Sequence, residues 1–243
     1  MNKTVLITGG ARGIGRATSL LAARDGWQVC VNFINDAKAA DEVVSQIRDA
    51  GGEAITARGD VSCEEDVLSI FDQAQKLSAP LFALVNNAGI VAPASSLASM
   101  SIERLRNIFD VNILGTFLCA REAARRLPDG GCIVNVSSLA SRFGSPGEYV
   151  DYAAAKGAVD VLTLGLSKEL GPKNIRVNAV RPGVIETEIH ASSGDPNRYE
   201  RIGQTAPLGR HGMPNEIAEA IVWLMSDKAS YTTGALLDVA GGR

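Results

Sequence analysis

The 243-residue chain carries a formal net charge of −3, with 46% apolar and 21% charged residues. That is enough chain for one α/β domain with a substantial core, and the mild charge without a block of one sign argues against non-specific nucleic-acid binding. No apolar run approaches the roughly 20 residues that span a bilayer. A core-like run from Thr4 onward leaves no room for a leader, so a cytoplasmic location is expected. Cys30, Cys63, Cys119 and Cys132 have no C-x-x-C spacing and His190 and His211 are the two histidines, so no metal site is expected.

Thr4–Thr8 reads as a buried strand that runs into Gly9-Gly10-Ala11-Arg12-Gly13-Ile14-Gly15, and Gly13–Asp25 then has helical periodicity. Gly9 can take φ values barred to other residues. Gly13 and Gly15 leave room for a diphosphate against the backbone and for close packing of helix on strand. The free N–H groups of the first turn and the positive end of the helix dipole suit that anion, so the pattern predicts dinucleotide binding. Further strands are expected at Gln28–Phe33, Ala54–Arg58, Phe82–Asn86, Cys132–Ser137, Arg176–Arg181 and Leu236–Val239. The stretches between them are amphipathic, and Ser62-Cys63-Glu64-Glu65 fits a capping box. The alternation predicts an α/β Rossmann fold: a doubly wound, seven-stranded parallel sheet with helices on both faces. No Pro/Gly/Ser-rich linker divides residues 1–243, which are expected to form a single domain. The long irregular stretch Glu186–Pro214 follows a strand's C-terminal end, where open α/β sheets bind ligands, and reads as a substrate lid.

Further segments sit at strand ends: Asn86-Asn87-Ala88-Gly89 after the fourth, Ser137-Ser138 after the fifth and Arg181-Pro182-Gly183 after the sixth. Asp110-Val111-Asn112, Tyr152-x-x-x-Lys156 and the terminal stretch from Asp238 to Gly242 complete the set. In this order the segments resemble the short-chain dehydrogenase/reductase family along nearly the whole chain. The resemblance is to the cytoplasmic branch that includes bacterial ketoacyl reductases and sugar dehydrogenases. It implies interconversion of a carbonyl and a secondary alcohol by hydride transfer, with Asn112, Ser138, Tyr152 and Lys156 as the catalytic set. Tyr152 and Lys156 are four apart, so one helix face presents both to a common ligand. A free tyrosine, with a pKa of about 10, is a poor acid–base group at neutral pH. A nearby ammonium and an oxidised nicotinamide would favour its phenolate. Lys156 would also hold the nicotinamide ribose, Ser138 would donate to the substrate oxygen, and Asn112 would break its helix locally and hold a water leading to Lys156. Ser138 and Tyr152 are one residue further apart than the family usually has. The extra residue is expected near Gly144-Ser145-Pro146-Gly147, with Ser137 the weaker alternative to Ser138.

The resemblance also assigns the cofactor contacts: Gly9, Arg12, Gly13, Ile14 and Gly15 in the first turn, and Asn32 and Phe33 at the second strand's end. Asp60 and Val61 would bracket the adenine. Asn87, Ala88 and Gly89, with Tyr152 and Lys156, would line the middle, and Pro182, Gly183, Ile185 and Thr187 would grip the nicotinamide. Relatives that accept the phosphorylated cofactor often read Asn-Tyr-Arg where this chain has Asn32-Phe33-Ile34. With no acid at Phe33 to repel a 2′-phosphate, and with Arg12 as the remaining cation, NADP(H) is favoured over NAD(H), which remains possible. Tyr149 reads as a wall of the substrate pocket, and Glu148, His190 and Ser192 as polar contacts for a sugar or polyol. An acyl-carrier ketoreductase would need a basic docking patch, where Asp129 and Lys173 give a mixed signal. A non-catalytic dinucleotide sensor or scaffold is the reading from another class, and the retained tyrosine and lysine oppose it. Partners are expected to be a small carbonyl or alcohol substrate, with no nucleic acid or membrane. Ile102–Leu127 and Asp151–Leu170 carry surplus apolar residues, including Phe109, Ile113, Leu118, Val159, Leu162 and Leu166. Members of the family pair these two helices across a two-fold axis and make a second contact through the C-terminal strand, so the resemblance implies a homotetramer, or a homodimer.

Overall fold

The apolar runs become β1 (Lys3–Ile7), β2 (Trp27–Phe33), β3 (Ala54–Arg58), β4 (Leu81–Asn86), β5 (Cys132–Val136), β6 (Arg176–Pro182) and β7 (Leu236–Val239), each within one residue of expectation at either end. In the computed structural model, which describes residues 3–189, 194–195 and 197–243, they pair in parallel in the order β3-β2-β1-β4-β5-β6-β7. Between them run α1 (Gly13–Arg24), α2 (Ala37–Asp49), α3 (Glu64–Ala74), α4 (Ile102–Phe109), α5 (Thr116–Arg126), the single turn α6 (Ala140–Phe143), α7 (Val150–Glu169), α8 (Arg198–Gly203) and α9 (Pro214–Met225). The sheet is covered on both faces. On one, Val5, Val29, Val31 and Val134 meet Leu21, Val43, Ile217 and Ile221 of α1, α2 and α9. On the other, Leu6, Leu84, Ile133 and Val177 meet Ile70, Phe71, Leu118 and Leu166 of α3, α5 and α7. Burial on both faces is why β2 is apolar along most of its length rather than alternating. Strand order reverses between β1 and β4, so their C-terminal ends open side by side at the switch point where such sheets take ligands.

Several local expectations need correction. The helix over Ile102–Leu127 is not continuous: Asp110–Gly115 forms a π-helical turn between α4 and α5, the break foreseen at Asn112. The capping box does not form, because Cys63 occupies the N-cap without a side-chain bond. Ser62 lies one residue too early and donates its hydroxyl to Asp60 Oδ1 at 2.7 Å. Of the surplus apolar residues, Leu118, Val159 and Leu166 are core. The uncovered face consists instead of Phe109, Leu114 and Phe117 with Val161 and Leu164 of α7, beside Gly157 and Gly165, where an added Cβ would meet nothing. The stretch after β6 is not wholly irregular, since it contains α8 and a parallel bridge from Ile185 to Gly212. His190 and Ser192 lie outside the described residues.

Burial pushes the Cys30 and Cys119 thiols up to about 12 and Cys132 to about 11, so they behave as small hydrophobes. Among the described residues no group of side chains could hold a metal ion, and no helix is long and apolar enough to cross a membrane.

A buried polar chain ties β4, β5 and α7 together beneath the strand ends. Asn86 Nδ2 donates to Asn135 Oδ1 at 2.9 Å, Asn135 Nδ2 to Thr163 Oγ1 at 2.9 Å, and Thr163 Oγ1 to the Val159 carbonyl at 2.8 Å. Asn135→Ala removes the central link and is expected to lower stability by about 1–3 kcal/mol. Denaturant unfolding measures this, and an unchanged midpoint would contradict the reading.

Candidate active site

The glycine turn after β1 takes the shape its sequence demands. Gly9 has φ +60 and Gly13 φ +49, both in the region that favours glycine. α1 begins at Gly13 with no side-chain cap on its first turn, so its N-terminal N–H groups face the cleft at the switch point. Gly15 serves the close packing expected of it. A Cβ there would stand 2.2 Å from the Gly9 carbonyl and 2.5 Å from Asn87 Nδ2, so its bareness lets helix and turn pack together. Gly13 instead faces Thr187 across the cleft, where an added Cβ would come within 3.2 Å of its methyl. Ile14 is partly buried against the core on the α1 face.

The side chains of two asparagines expected to touch a cofactor hold the turn. Asn32 Oδ1 accepts from Gly9 N at 3.2 Å, and its amide donates to the Ala57 and Gly59 carbonyls at 3.1 and 3.0 Å. Both donors are used and the side chain is buried. Asn87 Nδ2 donates to the Thr8 and Gly9 carbonyls at 2.9 and 3.0 Å. Thr8, which sequence reasoning passed over, accepts both Asn87 N and Ala88 N at 3.0 Å through its hydroxyl. At the adenosine end Phe33 is buried, and Val61 is buried against Gly115. Asp60 Oδ1 accepts from Ser62 N and Oγ, which leaves the other oxygen for a ligand amine. At the other end Pro182 O accepts from Leu139 N, while the bare face of Gly183 packs on Ala240. Ile185 is buried, and Thr187 Oγ1 lies 3.5 Å from the Ile185 carbonyl.

The four candidate catalytic residues converge beside this cleft. Ser138 hydrogen-bonds the Tyr152 phenol. Ser137, in contrast, donates to the Lys156 carbonyl at 3.1 Å in the interior, which excludes it as the tyrosine's partner. In the segment expected to absorb the extra residue, Gly144, Ser145 and Gly147 all have positive φ between α6 and α7. Lys156 Nζ donates to the Val136 carbonyl at 2.8 Å and stands 5.6 Å from the centroid of the Tyr152 ring. Asn112 braces the loop after β4, accepting from Ile90 N and donating to Ile90 O, both at 3.0 Å, and to Ile108 O at 2.9 Å. A Cβ on Gly89 would stand 2.8 Å from Asn112 Oδ1 and 3.4 Å from Lys156 Nζ, so that glycine keeps open the gap between them.

Charge in this site is controlled first by burial. Withdrawal from water pushes the Tyr152 phenol up to about 12, against the lowering effect of the Ser138 hydrogen bond. It pushes the Lys156 ammonium down to about 8, with Asp160 one turn on opposing the shift. In the protein alone, therefore, the lysine does not bring the phenol into the neutral range as its spacing suggested; desolvation outweighs it.

Around the cleft, Arg198 of α8 docks on the segment before α7. It pairs with both oxygens of Glu148, at 3.1 and 2.7 Å, and its guanidinium lies 5.1 Å from the centroid of the buried Tyr149 ring. Glu148 is thus already paired, and Arg198 joins Tyr149 in the wall. Asp129 and Lys173 lie just before β5 and β6, at the far end of the sheet, where Gly130 N bonds the Lys173 carbonyl. Within one chain they do not flank the cleft.

A family model described as enoyl-(acyl carrier protein) reductase matches residues 9–243. The chain is 51% identical over 243 residues to the uncharacterized oxidoreductase YgfF of Escherichia coli (strain K12), covering 98% of each. Among solved structures, the short-chain dehydrogenase/reductase from Serratia marcescens BCRC 10948 superposes with a TM-score of 0.93 at 32% identity, covering 100% of this chain and 98% of the other. The angucycline C-6 ketoreductase LanV, solved with bound NADP, gives 0.92 at 34% identity, covering 99% and 95%.

The depressed Lys156 pKa has a signed consequence for stability. Below pH 8 the lysine is protonated in both folded and unfolded chains, and the fold bears the full cost of a buried ammonium. Between pH 8 and the ordinary lysine value the unfolded chain binds more protons, so this cost falls as pH rises. Relative to Lys156→Met, the wild type should gain roughly 3 kcal/mol between pH 7 and pH 10. Chemical denaturation of both proteins at the two pH values measures it, and a pH-independent difference would contradict the shift.

Proposed function

Because the chain belongs to the short-chain dehydrogenase/reductase family and is an NAD(P)-dependent oxidoreductase of it, we propose that it interconverts a carbonyl and a secondary alcohol, preferring NADP(H), with Tyr152 as the acid/base. The observation that carries this reading is the Ser138–Tyr152–Lys156 cluster at the C-terminal ends of the parallel strands, beside an uncapped helix N-terminus. Those surroundings fit a dinucleotide: a turn with glycines at positive φ, uncapped first-turn N–H groups of α1 for the diphosphate, and a buried ammonium for a ribose hydroxyl. When bound, the nicotinamide gives or accepts the hydride.

In the reducing direction Tyr152 transfers its phenolic proton to the substrate oxygen, and Ser138 donates a hydrogen bond to the same oxygen. In the oxidising direction the phenolate removes the hydroxyl proton. Lys156 orients the ribose and supplies positive charge beside the ring, and Asn112 keeps the Gly89 gap open for a proton path to solvent. The missing acid at Phe33 and the exposed Arg12 support NADP(H), as does LanV, which binds NADP. Residues 186–214 act as a substrate lid over this one domain, fastened by Arg198 on Glu148 and Tyr149. The uncovered Leu114, Phe117, Val161 and Leu164 face supports assembly through α5 and α7, as a homotetramer or a homodimer.

Tyr152→Phe keeps the ring's packing and removes the acid. Turnover should fall on the order of 10²–10⁴-fold with cofactor affinity retained, measured by NADPH consumption against a panel of diketones, quinones, aldoses and acyl thioesters. Ser138→Ala should slow the chemical step alone, whereas Lys156→Met should weaken cofactor binding as well as rate. Near-native turnover of Tyr152→Phe would overturn the mechanism. Light scattering should show an oligomer at micromolar concentration that dissociates in Val161→Glu, and a wild-type monomer would overturn the assembly.

A further inference from the structure

We propose that Arg58 is a second reader of the adenosine 2′-phosphate, acting with Arg12 from the opposite flank of β2; the inference rests on the NADP(H) reading. Nothing in the linear order suggests it, because Arg58 belongs to the next strand. Sheet register brings it into place. Arg58 lies opposite Phe33, the position where a carboxylate would otherwise meet the ribose. The two-residue side-chain period puts Arg58 on the same face of β3 as Ala54, which shares a core cluster with Phe33. Its Nε donates to the Ile34 carbonyl at 3.3 Å, so an exposed guanidinium is aimed at the turn following β2.

The donor count leaves it free for an anion. Of the five N–H donors of a guanidinium, one is directed to Ile34, and among the described residues the two Nη groups meet no carboxylate. Fixing Nε while leaving the outer edge open presents a planar fork suited to phosphate oxygens. On the other flank, Gly10 N bonds the Asn32 carbonyl at 2.9 Å and Gly9 N bonds Asn32 Oδ1, holding the turn that carries Arg12 against β2. Arg12 is also exposed and, among the described residues, without a partner. The nearby acids are engaged elsewhere: Asp36 caps α2 by accepting from Ala39 N, and Asp60 accepts from Ser62. Ile34, half-exposed, stands at the position where relatives that accept the phosphorylated cofactor often carry an arginine.

Calorimetric titration of the full chain separates the proposal from the reading it rests on. The probes are adenosine 2′,5′-bisphosphate, adenosine 5′-monophosphate, NADPH and NADH. The wild type should bind the 2′-phosphorylated member of each pair more tightly. Arg58→Ala should weaken adenosine 2′,5′-bisphosphate and NADPH by on the order of ten- to a hundredfold, and the other two by less than about twofold. Arg58→Lys should recover part of the loss. Arg58→Gln, which keeps a donor for the Ile34 carbonyl, should behave like Arg58→Ala, and so distinguishes charge from bracing. Added salt should narrow the wild-type discrimination. A wild type that prefers NADPH with an Arg58→Ala variant losing both members of a pair equally, or neither, overturns the role of Arg58 alone. A wild type that does not discriminate overturns the NADP(H) reading and the inference with it.

Discussion

The lock between the ends of β1 and β4 governs the geometry of everything above it. Thr8 turns its hydroxyl to two successive amides of the neighbouring turn, and Asn87 returns two bonds to the carbonyls of Thr8 and Gly9. Gly15 must be bare for Asn87 to reach so far, and Asn32 closes the same turn from the β2 side. Five partly buried hydrogen bonds at a switch point thus fix the glycine turn, the start of α1 and the path of the loop carrying Gly89. Removing one partner would leave its mates unpaired away from water, which is more costly than the bond's net value. This is why amide side chains, with donor and acceptor on one small group, occupy these positions.

The second constraint is the low-dielectric setting of Tyr152 and Lys156. Burial opposes charge on both, moving a phenol up and an ammonium down. A tyrosine held neutral in this way is a stable proton donor, which suits carbonyl reduction. Its conversion to a base in the other direction needs positive charge nearby, which an oxidised nicotinamide and the lysine together supply. Asp160, one turn beyond Lys156, counteracts part of the lysine's shift and favours its charged form. With a cofactor bound, the tuning would be shared between α7 and the nicotinamide.

The sheet was legible because each strand is a short apolar run between glycine or polar boundaries, and Ala54–Arg58 and Leu236–Val239 agree to the residue. The candidate catalytic constellation was legible because its members fall at strand ends or four apart on one helix. What sequence could not show is where an amide points. Asn32 and Asn87 look like ligand contacts until their bonds to the turn are seen. The break at Asn112 was expected from the resemblance, but its bonds to Ile90, twenty-two residues away, leave no local pattern. Arg58 and Arg198 reach the site through strand register and through the docking of α8, and neither carries a motif of its own. The capping-box error has a simpler cause: the helix starts one residue later than its Ser62 requires.

Burial holds the Tyr152 phenol protonated in the protein alone, and one titration tests whether the charge of an oxidised cofactor releases it. The difference in phenolate absorbance between wild type and Tyr152→Phe, followed against pH with and without oxidised NADP, isolates this single tyrosine. Without cofactor the signal should appear only near pH 12, and with oxidised cofactor bound it should move down by about a unit or more. Superimposable curves with and without cofactor, or ionisation near neutral pH in the protein alone, would contradict it.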